Sequence, residues 1–262
     1  MQKFRFLKFL VFAVVLAVVS GCIPQKVVRP PDPSNPIKMV AVLPILNNTN
    51  DVEGPKFVRK QLTERLPQYY YQVQPINNVD IVLRDQMGIT LGAQLDMTNP
   101  NELGKVLESD AVIYVTLMDF NTKITGFHNL KEVRAKFKMV DTKTGATIWE
   151  NGVGVRNELK SGIVGDVMST VDTIKQMTQT EEVPWVKIMS QSQNNVGMAL
   201  GMALLEKVIS QATDTPLALE VSQMLDIVLD GYYQQPPMGL FGVPPPVPYG
   251  RSIPAGPVPY KP

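Results

Sequence analysis

The sequence predicts an α/β (α+β) fold in which helices pack on a mixed β-sheet. Two continuous apolar runs, at residues 39–45 and 111–118, are typical of strands buried on both faces. Segments between them carry apolar residues at helical spacing. Beyond the second run, apolar and charged residues alternate strictly over 133–139, which predicts a hairpin with one wet face. This order of elements favours a mixed sheet covered by helices.

The N-terminus has the organisation of an export signal. Three basic residues precede an apolar run over 9–19, and two small residues then lead to Cys22, the only cysteine of the chain. This run is shorter than the roughly 20 apolar residues that a membrane-spanning helix needs. We therefore expect residues 1–21 to be a cleaved signal peptide.

The residues Val19, Ser20, Gly21 and Cys22 resemble the lipobox of bacterial lipoproteins. The resemblance implies diacylglycerol on the Cys22 thiol and, after cleavage, an N-acyl chain such as palmitate on the same residue. Two or more acyl chains give stable membrane anchoring. An ordinary signal peptide with a coincidental cysteine is the alternative. Ile23 stands where retained inner-membrane lipoproteins carry Asp, so the resemblance implies the outer membrane. We expect the domain to face the periplasm, and exposure on the cell surface is the alternative.

Composition narrows the class of protein. Removal of residues 1–21 takes three of the 25 basic residues and none of the 24 acidic ones, so the mature chain has no basic excess. We therefore expect no nucleic-acid partner. A single cysteine allows no internal disulfide, and the fold must be stabilised by its core, for which the chain is long enough.

The segment after the cysteine is predicted to be a flexible leash, residues 22–36. Five prolines lie among polar residues over 24–36, and no apolar period is present. This composition favours extended, polyproline-like conformations. We expect the ordered α/β domain, residues 37–158, to begin at Ile37.

The first half of the domain is predicted as strand, helix, strand. The buried strand over 37–45 includes Pro44, which ends the ladder because proline has no N–H to donate. Pro55 suits the first turn of an amphipathic helix, and Pro67 closes that helix. Residues 69–74 are rich in tyrosine and favour a strand with alternating faces.

Two further helices precede the second buried strand. Apolar residues recur at helical spacing over 79–87, and Gly88 suits the C-terminal stop. Asn99 as N-cap and Pro100 at the first helical position then announce a helix with its apolar face at 103–107.

The predicted hairpin has one apolar face and one charged face. The apolar residues of 133–139 face one way, and Lys136 and Lys138 face the other. The turn at 141–145 leads to a second strand. The Gly-x-Gly at 152–154 lies on that strand and lacks the strand-to-helix context of a dinucleotide fingerprint.

The C-terminal part is predicted to be helical and then disordered. Residues 159–183 form a variable polar segment. Residues 184–233 are expected to form helices that pack on the domain, one opened by Pro184 and one over 216–229 that Gly231 ends. The last part, residues 234–262, contains ten prolines and is predicted to be a disordered tail.

Aromatic residues supply the candidate partner-binding positions. Tyr69, Tyr70 and Tyr71 could form an exposed platform, although alternation places at least one of them in the core. Tyr249 and Tyr260 lie among the prolines of the tail. The alternative to a disordered tail is a polyproline ligand for an aromatic groove on a partner.

The sequence contains no catalytic constellation. The single histidine, His128, lies in a predicted loop between strands and can complete neither a metal site nor a triad. Asp110, Asp119 and Asp141 fall at predicted strand or turn boundaries, where Asp usually accepts backbone N–H bonds; acid–base catalysis is the alternative. We expect a non-enzyme with no catalytic residues, no metal and no small-molecule substrate, whose only attached groups are the acyl chains on Cys22.

Several short motifs resemble known envelope lipoproteins. Residues 41–44, followed by Asn47 and Thr49, look like the nucleus shared by the TolB N-terminal domain and the CsgG-like curli-secretion lipoproteins. The chain is more similar to a bacterial lipoprotein family of unknown function that includes surface-antigen candidates. That pattern is carried by Val42-Leu43-Pro44, Asn47, Asp51-Val52, Pro55, Tyr70-Tyr71, Pro75, Leu103-Gly104, residues 110–115, Asp141, Thr144-Gly145 and Trp149.

The resemblance implies a TolB-like fold and a CsgG-like partner. We therefore predict a non-enzymatic outer-membrane lipoprotein that acts as a periplasmic structural or assembly component and binds another envelope protein. A lipoprotein that activates a cell-wall synthase is the alternative. A ligand-binding or enzymatic module with an unrecognised pocket is the third hypothesis.

Overall fold

A computed structural model describes residues 29–125, 128–160, 183–190, 215–233 and 247–258. The predictions for the signal peptide, and most of those for the polar segment after residue 160 and the helix after Pro184, fall outside these ranges.

A mixed seven-stranded sheet forms the centre of the domain, with strand order β3-β1-β4-β5-β6-β7 and β2 beside β4. Strands β1, β2 and β3 run parallel to their neighbours, β4 to β6 form an antiparallel meander, and β7 is parallel to β6. This architecture confirms the predicted fold class. The strands are β1 (Met39–Val42), β2 (Leu46–Asn47), β3 (Gln72–Val73), β4 (Ala111–Thr125), β5 (His128–Asp141), β6 (Thr147–Lys160) and β7 (Trp185–Ser190).

Helices cover both faces of the parallel part of the sheet. One apolar cluster joins the sheet to α1 and α4, and the other joins it to α2 and α3. The helices are α1 (Gly54–Arg65), α2 (Ile76–Met87), α3 (Pro100–Leu107) and α4 (Ala218–Asp230), with 3-10 helices at Leu66–Tyr69 and Gly92–Met97 and a short pair formed by β8 (Tyr232–Tyr233) and β9 (Val247–Pro248).

Strand β1 shows why the predicted pattern was apolar on both faces. Val40 and Val42 belong to the cluster beneath α1 and α4, whereas Ala41 and Leu43 belong to the cluster beneath α2 and α3. Consecutive side chains of a strand point to opposite faces, so a strand between two helix layers must be apolar throughout.

The predicted helix ends are present. Gly88 and Gly231 adopt left-handed conformations, with φ of 69° and 73°, directly after α2 and α4. The side chain of Asn99 accepts a hydrogen bond from the N–H of Asn101 at the start of α3. The sequence was enough to predict these helix ends because each signal acts within one helical turn.

The predicted strand over 69–74 is largely absent. Its first residue belongs to the 3-10 helix Leu66–Tyr69, whose last turn is closed by the N–H of Tyr70 donating to the Pro67 carbonyl. Tyr70 then takes a left-handed conformation, with φ of 68°. An extended strand cannot pass through that residue, so pairing with β1 is confined to Gln72–Val73.

The predicted helix after Pro184 is wrong, because Trp185 begins strand β7. The Trp185 ring lies on the backbone of Gly154, where an added Cβ would be 2.5 Å from the ring carbon Cε3. The guanidinium carbons of Arg134 and Arg156 lie 4.8 and 4.7 Å from the centre of the ring. Parallel pairing with β6 and these ring contacts therefore outweigh the local helix signal, and they explain the glycine at 154.

His128 and Asp119 also lie elsewhere than predicted. His128 is the first residue of β5 and pairs with Thr125, so it belongs to a ladder and not to a loop. A bulge between Leu117 and Asp119 adds one residue to β4 and lets the strand continue past its predicted end. Asp119 thus lies inside the strand, where its carboxylate receives the Nε–H of Arg134 at 2.6 Å.

Part of the predicted disordered tail is packed on the domain. We call residues 247–258 the strap. Ile253 is fully buried, and its N–H donates to the Leu229 carbonyl at 3.0 Å. The end of the leash is ordered too, since the N–H of Asp32 donates to the carbonyl of Gly256 at 2.9 Å. Proline excludes helix and central strand but leaves backbone carbonyls free to accept hydrogen bonds, so the composition did not forbid this packing.

Candidate functional site

An open cleft lies where β1 ends and β4 continues. Pro44 follows the end of β1, and β2 then pairs with β4 for only two residues. The space left beside the meander has a volume of about 170 Å³. Its walls include Leu46, Asp96, Tyr114, Thr116, Lys138 and Glu150.

The 3-10 helix Gly92–Met97 forms one wall of the cleft and is held firmly. A Cβ on Gly92 would lie 2.4 Å from the backbone carbon and oxygen of Ile45, so only glycine fits this approach. The Gln94 side chain accepts the N–H groups of Thr90 and Leu91 at 2.8 and 2.9 Å. The wall is therefore fixed by backbone contact and by hydrogen bonds.

This wall presents apolar side chains to solvent. Leu91 is 64 % exposed and Met97 is 92 % exposed, and they flank the 3-10 residues that line the cleft. We call these two residues the rim. Leu91 precedes the 3-10 helix and Met97 ends it, so the two exposed apolar side chains lie at either end of this wall of the cleft. They mark a candidate contact surface.

The opposite wall carries positive charge. Lys138 lies opposite Tyr114 in the β4–β5 ladder, with its ammonium 5.2 Å from the centre of the ring. Lys136 is ion-paired with Glu150 at 2.9 Å. Within the part of the chain that the structure describes, no carboxylate lies within ion-pair distance of Lys138. Burial, and then the charge of Asp96, raise the pKa of the Tyr114 hydroxyl. An ammonium beside a neutral hydroxyl suits an anionic group such as a carboxylate.

The two carboxylates that line the cleft lie at exposed or ion-paired positions. Glu150 is ion-paired and Asp96 lies on the exposed 3-10 helix. Neither has the apolar surroundings of a general acid. The described ranges also contain no group of three or more side chains able to hold a metal ion.

A second surface binds the strap. Three side chains from distant parts of the chain donate hydrogen bonds to strap carbonyls, as donors do in the recognition of proline-rich peptides. The pairs are Trp149 Nε1 to Arg251 at 2.7 Å, Tyr71 Oη to Pro254 at 2.8 Å and Asn35 Nδ2 to Ala255 at 2.8 Å. The sequence suggested a groove on a partner protein, and here the chain supplies a groove for its own tail.

The predicted tyrosine platform does not form. Tyr69 and Tyr71 are buried core residues. The Tyr69 hydroxyl donates to the Asp230 carboxylate at 2.7 Å. Only Tyr70 retains partial exposure, because its left-handed conformation turns the chain between its two neighbours.

The remaining predicted site residues divide into two groups. Tyr249 is partly buried, and its hydroxyl donates to the Gly152 carbonyl at 3.2 Å, so it binds this chain. Tyr260, Cys22 and residues 19–21 lie outside the described ranges.

Two of the predicted aspartates bind backbone, as expected. Asp110 accepts the N–H groups of Lys38 and Met39 at 3.1 and 3.0 Å, and Asp141 accepts that of Lys143 at 2.7 Å. Burial raises the pKa of Asp110, but the hydrogen bonds from Met39 and Lys38, together with the hydrogen bond and charge of Lys143, hold that pKa below its ordinary value. These carboxylates therefore fix strand ends.

The tyrosines around the strap predict a loss of stability in alkali. Burial raises the pKa of Tyr71 and of Tyr249 to about 12, and it raises that of Tyr69 as well. An unfolded tyrosine ionises near pH 10, so above that pH the unfolded chain loses protons first and the folded state loses stability up to about pH 12. Urea unfolding at several pH values between 8 and 11.5 measures the slope of the unfolding free energy against pH.

The variant Tyr71→Phe is the control for this titration. Each such tyrosine contributes a slope of up to about 1.4 kcal/mol per pH unit, and the variant should lack one such contribution. An equal slope in both proteins would contradict the assignment to Tyr71.

Within the described ranges, no helix has both the length and the apolar character needed to cross a membrane.

Comparison with known proteins identifies a family. The family model described as "Putative lipoprotein GNA1162-like" matches residues 32–205. The relative "Putative lipoprotein NMB1124/NMB1162" of Neisseria meningitidis serogroup B is 30% identical over 135 residues, which cover 50% of this chain and 62% of the relative. The chain thus spans less than two thirds of that relative's length.

Two solved structures illustrate the range of structural similarity. The lipoprotein GNA1162 from Neisseria meningitidis is 25% identical, with a TM-score of 0.44, and the match covers 53% of this chain and 97% of that chain. The C-terminal domain of LpoB from Escherichia coli is 14% identical, with a TM-score of 0.33, and the match covers 47% and 83% of the two chains.

Proposed function

Because this chain belongs to the GNA1162-like family of lipoproteins, we propose that it is a non-enzymatic outer-membrane lipoprotein that binds another envelope protein. Acyl chains on Cys22 hold it in the membrane, and its folded domain faces the periplasm. Anchoring confines the domain to a thin layer at the membrane and raises its effective concentration near a co-anchored partner to roughly millimolar.

The rim carries the binding part of this proposal. Leu91 and Met97 stay exposed on a wall that is itself rigid, so they are available to a partner without rearrangement. Lys138 lies across the cleft as a cation with room for a carboxylate. A partner would place apolar side chains on the rim and an acidic group against Lys138, which gives both contact area and orientation.

The partner we propose is a CsgG-like secretion or assembly lipoprotein. The motifs over 41–49 that resemble TolB-like and CsgG-like proteins support this choice. A partner with its own lipid anchor also shares the layer in which this domain is held.

Crosslinking in cells tests the proposal. A photoreactive residue at Met97 should capture a second lipoprotein or pore subunit, identified by mass spectrometry. Lys138→Glu should reduce that capture at least tenfold, because it replaces the cation that receives the partner's carboxylate. Val52→Asp is the matched control, since Val52 is another exposed apolar residue, 72 % exposed, that does not line the cleft.

Three outcomes would contradict the proposal. Equal capture in both variants would exclude the cleft, and capture of no envelope protein would exclude a binding role. Capture of a cell-wall synthase would replace the assembly role by the alternative, a lipoprotein that activates such an enzyme.

A further inference from the structure

The strap contacts the end of the leash. The N–H of Asp32 donates to the Gly256 carbonyl at 2.9 Å. The Asn35 side chain donates to the Ala255 carbonyl at 2.8 Å, although 220 positions separate the two residues. The leash and the strap, which are far apart in sequence, are therefore joined at one place on the domain.

The strap itself is held by the domain. Ile253 is buried in the cluster beneath α1 and α4, and the N–H of Tyr249 donates to the Gly231 carbonyl at 2.7 Å. The N–H of Gly256 donates to the Tyr69 carbonyl at 2.7 Å. Whatever the strap binds is thus fixed to the domain.

In contrast, the described end of the leash lies at the surface of the domain and is joined to the strap by hydrogen bonds. Residues 32–34 are exposed, and Ile37 is the first apolar side chain after them that enters the core. Breaking the hydrogen bonds to the strap leaves Ile37 in the core, so this contact can separate while the domain stays folded.

We propose that the strap is a clamp on the leash that sets how far the anchored domain reaches from the membrane. The inference rests on the lipid attachment at Cys22 in the proposed function, and not on the partner. With the clamp closed, the chain from Cys22 to Asp32 spans at most about 36 Å; with it open, the chain from Cys22 to Ile37 spans at most about 54 Å. Release therefore adds up to about 18 Å of reach.

Gly256→Val tests the clamp. A Cβ at Gly256 would lie 2.3 Å from the Tyr70 carbonyl oxygen, so a side chain there displaces the strap end. In the lipidated protein in nanodiscs, hydrogen exchange of the Asp32 amide, which donates to the Gly256 carbonyl, should become at least tenfold faster. Val258→Ser, at a strap residue that is 58 % exposed, should leave exchange unchanged.

Asn35→Ala keeps the test valid if the glycine variant fails to fold. It removes the donor to the Ala255 carbonyl and the bonds of Asn35 with Tyr71 and Ile37. The backbone bonds that hold the strap to the domain stay in place. Exchange should rise at the Asp32 amide while residues 249–256 remain protected. Unchanged protection of the Asp32 amide in the folded variants would overturn the clamp.

A distance measurement tests the reach. Cys22 is the only native cysteine, so Gln86→Cys, on the exposed side of α2, provides a unique position for a fluorophore once Cys22 is acylated. Energy transfer to acceptor lipids should fall in both clamp variants and stay unchanged in Val258→Ser. Faster exchange with unchanged transfer would overturn the control of reach. Loss of partner capture would affect neither readout, so the two proposals can fail separately.

Discussion

Replacing Trp149 with alanine is expected to lower the free energy of unfolding by about 3–5 kcal/mol. Trp149 is 1 % exposed and is the largest fully buried side chain among the described residues. Its ring lies 6.5 Å from that of Phe137, at an interplanar angle of 41°. The deletion leaves a cavity that neighbouring strands and helices can only partly fill.

Trp149 also joins the core to the strap. Its ring N–H donates to the Arg251 carbonyl at 2.7 Å. Trp149→Phe keeps most of the apolar volume but removes this donor, so we expect a loss of about 1–2 kcal/mol together with faster hydrogen exchange in the strap. Urea unfolding measures both variants, and Thr147→Ala, at an exposed position of the same strand, is the control. A loss below about 1 kcal/mol for the alanine variant would contradict the core assignment.

The parts of the fold that could be predicted depend on local patterns. Burial on both faces identified β1 and the first part of β4, and glycine or proline at helix ends identified the limits of α2 and α3. The prediction that one face of the hairpin is exposed to solvent was also correct, since Lys136 and Lys138 line the cleft. In each case the physical cause acts within a few residues of the signal.

The parts that could not be predicted depend on residues far apart in sequence. Strand β7 forms because Gly154 makes room for Trp185 and β6 offers an edge for pairing. The strap is ordered because Trp149 and Tyr71 donate to it from distant positions and its own backbone bonds to the domain. The proline content correctly excluded helix, but it said nothing about donors elsewhere in the chain.

The rim had no signal in the sequence. Leu91 and Met97 belong to no helical or alternating period, and their exposure follows from the way Gly92 and Gln94 fix the 3-10 helix. The Gly92 contact with Ile45 is visible only in the structure. A glycine beside a short apolar segment would have been the one hint of close backbone approach.

Arg59 fills a gap that the sheet leaves open. The N–H groups of Gln72 and Gln74 donate to the carbonyls of Lys38 and Val40, but the next donor in that register, residue 76, already starts α2. The Val42 carbonyl receives the Nε and Nη2 groups of Arg59 instead, at 3.1 and 2.9 Å, and Nη1 reaches Asp80 at 2.6 Å. Burial lowers the pKa of Arg59, and Asp80 partly offsets that effect.

Replacing Arg59 with methionine is expected to lower the free energy of unfolding by about 2–4 kcal/mol. Methionine keeps most of the apolar stem but leaves the buried Val42 carbonyl without its donors. Asp80→Asn should cost about 1 kcal/mol or less, because the Asp80 side chain is 46 % exposed and water replaces part of the pair. Urea unfolding of the mature chain compares the two. Equal losses of unfolding free energy in the two variants would mean that Arg59 stabilises the fold through its ion pair with Asp80 and not through its hydrogen bonds to the Val42 carbonyl.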